Sequence, residues 1–206
     1  MTEYPAQPWR LAGEACVSVW IIPRSALPNL SDAVTPLTAG GRAVVVTAWI
    51  DYTPPGQLRY HELLATVAVR HGLAPAGSIT EIWVDSATSL AGGRALWNIP
   101  KEAANLEFDH SVGFTGAAST DTDWIATAAF TPRGPAAPRT GARFSIVQPA
   151  EGQPKVTPVR AWARFRSAAS TWTVNPDGPL GYLAGRRPLA SAHVSDARLL
   201  FGTAER

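Results

Sequence analysis

Apolar and polar residues alternate along much of this chain, in short pieces. Across Arg160-Ala161-Trp162-Ala163-Arg164-Phe165-Arg166 the alternation is close to period two, the pattern of a strand with one wet face. Residues 42–52 (RAVVVTAWIDY) are rich in β-branched and aromatic side chains and predict a second strand. Residues 15–22, 58–71, 78–85, 123–130, 141–147, 156–166 and 190–201 complete the predicted set. The 18 prolines and 17 glycines punctuate the chain too often for long helices. One segment departs from the pattern. Residues 86–97 (SATSLAGGRALW) begin at a cap-like Asp85-Ser86, carry Leu90 and Leu96, and stop before Asn98-Ile99-Pro100. The residue before a proline avoids helix, so a helix is predicted to end there. Gly92 and Gly93 weaken that helix or admit a neighbouring backbone. Residues 131–140 and 148–154 read as surface loops. The expectation is one domain over residues 1–206, mainly antiparallel β, with one or two short helices.

Composition narrows the chemistry. At 206 residues the chain is long enough for a single well-buried core. The lone Cys16 excludes a disulfide framework and any cysteine-based zinc or iron–sulfur site. The net charge is +2 with only 17% charged residues, and no dense basic stripe suggests a nucleic-acid partner. No apolar run is long enough to span a bilayer, and Met1-Thr2-Glu3-Tyr4-Pro5 lacks the regions of a signal peptide. A cytoplasmic protein without membrane, cofactor or metal is expected. Almost all cations are arginines; the lysines are Lys101 and Lys155 alone. Amine chemistry therefore has two side chains to choose from, because a guanidinium stays protonated.

Several motifs fail. His61-Glu62-Leu63-Leu64-Ala65 opens like a zinc-protease helix, but Ala65 stands where the second histidine belongs. His71, His110 and His193 lack ligand spacing, and Asp121 with Asp123 reads as turn chemistry. No phosphate-cradling glycine loop or serine nucleophile elbow is present.

The stretch Gly93-Arg94-Ala95-Leu96-Trp97-Asn98-Ile99-Pro100-Lys101 differs. Apolar neighbours desolvate an amine and so disfavour its charged form. A neutral amine attacks a ketone to form a Schiff base. On composition alone the ordinary reading, a surface lysine at a loop exit, takes precedence. Resemblance changes the balance. Tyr60-His61-Glu62, Trp83-Val84-Asp85, Gly93-Arg94-Ala95 and Ile99-Pro100-Lys101 together resemble the acetoacetate decarboxylase family. Gly178-Pro179-Leu180 and Ala192-His193-Val194 add a second matching block near the C-terminus.

The resemblance implies a closed, cone-like antiparallel barrel or sandwich with a lysine in its cavity, usually in a large homo-oligomer. It implies that Lys101 is the Schiff-base nucleophile and Glu62 a cavity carboxylate that acts as general acid/base or holds the substrate's hydroxyl or a water. Period two then sends His61 and Leu63 to the opposite face of the strand. Trp83, Trp97 and Ile99 are expected to line and dry the cavity. Thr47 falls where the family has a second cavity glutamate, Glu102 where it has a second lysine, and Gly13 where it has an arginine for the substrate's carboxylate. The expected function is a Schiff-base lyase on a small oxo acid, of decarboxylase, aldolase or dehydratase/hydratase type, with acetoacetate decarboxylation weak. The alternative is a barrel that binds an apolar ligand without chemistry, for which eight tryptophans are suited.

Overall fold

A computed structural model describes residues 3–204. Its strands are β1 (Trp9–Pro23), β2 (Thr38–Ala39), β3 (Arg42–Tyr52), β4 (Tyr60–Ala68), β5 (Ala76–Val84), β6 (Lys101–Ala103), β7 (Asn105–Asp109), β8 (Phe114–Ser119), β9 (Trp124–Pro132), β10 (Thr140–Gln148), β11 (Lys155–Val174) and β12 (Ala190–Phe201). Among the described residues one α-helix, α1 (Ala87–Trp97), interrupts them, with short 3-10 turns at Arg24–Ala26 and Gly181–Leu183. Ser86 caps it by accepting the Ser89 amide, as the Asp85-Ser86 start predicts, and Asn98 ends it in the left-handed region at φ 54°.

Seven strands form a ring in the order β10-β5-β4-β3-β1-β12-β11, closed by β10 pairing with β11. The antiparallel class expected from the sequence holds, with two short exceptions. β10 meets β5 in parallel through Ser145–Ala76 and Ile146–Gly77, and β6 lies parallel to β5. β11 is long enough to serve two neighbours along the edge opposite β12. Its first half pairs with β10, while Ala168–Val174 pairs with β9, which continues into β8 and β7.

The strands shared by the two layers are buried on both faces, and period two sorts their residues between two cores. On β3, Val45 and Trp49 face one core, and Tyr52 and the half-buried Ile50 the other. On β4, Leu63, Ala65 and Val67 face the first, and Tyr60 and Leu64 the second. The first core fills the space beneath β7–β9 with an aromatic cluster in which Trp49 meets Phe108, Phe114 and Trp172. The second lies inside the ring.

The segment carrying Gly178-Pro179-Leu180 folds against the first core, burying Leu180 and Leu183. Beside them Tyr182 donates a hydrogen bond to Glu81 at 3.0 Å. Burial raises Glu81 from its ordinary 4.5 to about 6, against hydrogen bonds from Thr80 and Tyr182 that act the other way. The folded state thus holds this proton more tightly than the unfolded chain does. The stability it contributes is complete below about 4.5 and is lost as pH rises through about 6. Glu81→Gln is therefore expected to flatten the fall in urea midpoint across that window. An unchanged pH dependence in the variant contradicts this assignment.

Candidate functional site

The loop from α1 into β6 sets the position of Lys101. The Asn98 turn reverses the chain, and the Lys101 amide bonds to the Ile99 carbonyl at 2.8 Å. Arg94, on the last turn of α1, donates through Nε to the Lys101 carbonyl at 2.7 Å. Pairing of Lys101 with Ile82 then directs its side chain into the ring, since Ile82 belongs to the inner core. Gly92 and Gly93 do admit close neighbours, but these are side chains, not backbone. A Cβ on Gly92 meets the Trp9 ring at 2.4 Å, and one on Gly93 meets Cδ and Cε of Lys101 at 2.7 Å.

Lys101 and Glu62 are buried, 4% and 3% exposed. Nζ of Lys101 donates to Glu62 Oε2 at 2.6 Å, to Ser89 Oγ at 2.8 Å and to the Tyr60 hydroxyl at 3.4 Å. It also stands 5.1 Å from the centroid of the Tyr60 ring. Glu62 accepts from both tyrosines of a cross-strand pair, Tyr60 at 3.3 Å and Tyr52 at 3.4 Å. Burial, and then the Glu62 charge, push both phenols well above their ordinary range. They remain protonated donors at any working pH. A cavity of about 330 Å³ opens onto this cluster. Trp9, Trp97 and Ile99 wall it near Lys101, and among the described residues no arginine lines it.

Of the residues singled out in the sequence, Lys101, Glu62, Trp97 and Ile99 thus come together. His61 and Leu63 leave β4 on the other side, His61 toward Asp85 at 2.9 Å and Leu63 into the first core. Trp83 and Thr47 lie away from the cavity, and both expectations are corrected. Trp83 alternates with the inward Ile82 and packs in the first core. Thr47 lies on the odd-numbered face of β3, where its hydroxyl accepts the Trp20 indole N–H at 2.9 Å. Lys155 is the first residue of β11 rather than a loop residue, and it is absent from the cavity wall. Ser89, Tyr52 and the Tyr60 hydroxyl were given no role from the sequence. Tyr60 carried a legible signal, two residues from Glu62 on a strand. Ser89 carried none, because the inward face of a short helix cannot be read from SATSLAGGRALW alone.

A closed β ring with a buried lysine–carboxylate pair at the foot of an apolar cavity defines a class of small-molecule site. The family model for acetoacetate decarboxylase matches residues 3–195. The chain belongs to the acetoacetate decarboxylase family. No curated protein matches it. Solved structures share its fold at low identity. Acetoacetate decarboxylase from Legionella pneumophila superposes with a TM-score of 0.74 at 17% identity, covering 100% of this chain and 90% of that one. The enduracididine biosynthesis enzyme MppR in complex with pyruvate gives 0.68 at 19%, covering 100% and 91%. An acetoacetate decarboxylase-like enzyme from Sphingomonas wittichii RW1 gives 0.62 at 15%, covering 98% and 93%. Among the described residues no helix is long and apolar enough to cross a membrane.

The missing Cβ at Gly93 is a direct test of the lysine's placement. Gly93→Ala improves helix propensity by about 1 kcal/mol, yet its methyl group takes the space of the lysine stem. The variant is expected to keep its circular dichroism spectrum and lose Lys101 amine reactivity at least tenfold. Full reactivity in the folded variant shows that the stem is not confined by α1.

Proposed function

We propose that Lys101 is the Schiff-base nucleophile of a lyase acting on the carbonyl group of a small oxo compound. The names of the structural relatives, acetoacetate decarboxylase and MppR with pyruvate, bring the oxo acids into that class as one group of carbonyl compounds among others. The observation that carries the reading is the 2.6 Å contact between Lys101 Nζ and Glu62 in an apolar cavity of a chain of this family.

The chemistry balances on those two groups. Glu62 takes a proton from the Lys101 ammonium, and the free amine adds to the carbonyl carbon. A proton passes from nitrogen to oxygen, giving a carbinolamine. The protonated Glu62 returns its proton to the departing hydroxyl, so that water leaves and an iminium remains beside the restored carboxylate. The Tyr60 hydroxyl, 3.4 Å from Nζ, gives up its bond to Glu62 once that carboxylate is protonated and donates to the oxygen while it carries negative charge. The iminium accepts the electron pair of a bond broken next to it, which serves loss of carbon dioxide, aldol cleavage or dehydration. Hydrolysis by water frees the lysine.

Trapping separates this reading from an inert ligand-binding barrel, for which the apolar wall speaks. An oxo compound plus borohydride is expected to add the mass of its reduced imine to Lys101. Lys101→Ala and Lys101→Arg abolish the adduct, and Lys155→Ala leaves it intact. Glu62→Gln slows formation and turnover of the imine, roughly 100- to 10,000-fold for loss of a general acid/base. A mass adduct that persists in folded Lys101→Ala overturns the assignment.

A further inference from the structure

The cavity does not end at Lys101. Alternate residues of β4, Tyr60, Glu62, Leu64, Thr66 and Ala68, all face it. The six steps from Glu62 to Ala68 span about 20 Å of strand, at about 3.3 Å each. Its polar side chains gather at the lysine end, with Thr66 as the exception. Beyond them the wall is Leu64, Ile79, Phe144, Ile146 and Leu199. Ala68, Ala76 and Gly77 stand at the far end, where small side chains border the bore and the Thr66 methyl packs against Gly77. The volume of about 330 Å³ is large for a three- or four-carbon acid. At about 30 Å³ per water-sized group it holds roughly ten non-hydrogen atoms.

Charge argues the same way as shape. Among the described residues Lys101 is the one cation on the wall, and Glu62 already pairs with it. Conversion to an iminium keeps that single positive charge and that pairing. A substrate carboxylate finds no second cation here, and an unpaired buried charge is strongly disfavoured. An alkyl chain meets apolar surface along the whole bore and gains with every methylene it buries.

Resting on the reading of Lys101 as an imine-forming amine, we propose that the substrate carries an unbranched apolar chain of about six to ten carbons. This chain, rather than a carboxylate, holds the substrate in the cavity with its carbonyl at Lys101.

A homologous series of methyl ketones, from acetone to 2-undecanone, tests this by borohydride trapping. The half-saturating concentration is expected to fall about fourfold per added methylene and to level off near the longest members. Pyruvate and acetoacetate are expected to saturate at least tenfold less readily than 2-nonanone. Ala68→Phe should move the plateau to shorter chains. The matching secondary alcohols, which cannot form an imine, are titrated in parallel by tryptophan fluorescence. Trapping without chain-length dependence, or best with pyruvate, overturns the chain proposal and leaves the Schiff-base reading standing. Chain-length-dependent alcohol binding with no ketone trapped keeps the apolar bore and removes the Schiff base. Neither effect removes both.

Discussion

An ammonium and a carboxylate stand 2.6 Å apart where almost no water reaches them, and the surrounding structure is arranged around that fact. Two isolated charges are expensive to bury, and such a pair persists only when its remaining hydrogen-bonding positions are filled. Here the Ser89 hydroxyl accepts a hydrogen bond from the lysine, and Tyr60 and Tyr52 donate to the carboxylate. Each partner arrives from a different element: Ser89 from α1, Glu62 and Tyr60 from β4, Tyr52 from β3 and Lys101 from β6. Pairing of Tyr52 with Tyr60 fixes the register that brings the two phenols together.

The double-layered architecture makes this possible. The ring strands have one face committed to the aromatic core under β7–β9, which supplies packing. Their other face is then free to line a cavity that is not filled by side chains. The glycines of α1 let the helix approach within contact of Trp9 and of the Lys101 stem, so the helix seals one end of the ring. Edge contacts of Trp97 with Trp9 and Phe201 complete that seal.

Much of this was legible in the sequence. Alternation located most of the ring strands, and Asp85-Ser86 and Ile99-Pro100 bounded α1 closely. The strands that escaped are those whose sequences carry little signal. β8 reads FTGAAS, and the second half of β11 runs through Ser167-Ala168-Ala169-Ser170, small residues made into strand by their partners. Lys101 and Glu62 were singled out because their motifs resemble those of the acetoacetate decarboxylase family. Trp83 and Thr47 were misplaced for a physical reason. Where both faces of a strand are buried, period two separates two sets of residues without saying which set faces the cavity. The same ambiguity hid the place of Tyr52, whose role depends on pairing across the β3–β4 hairpin.

On the proposed reading, the Lys101–Glu62 pair is kept for chemistry and not for stability. A double-mutant cycle with Lys101→Met and Glu62→Leu, read as unfolding free energy in urea, tests this directly. Each single change strands one buried charge and is expected to cost about 3–5 kcal/mol, while the double variant recovers most of that loss as an inert, folded barrel. Singles that cost little, or a double variant that loses the sum of both, would contradict it.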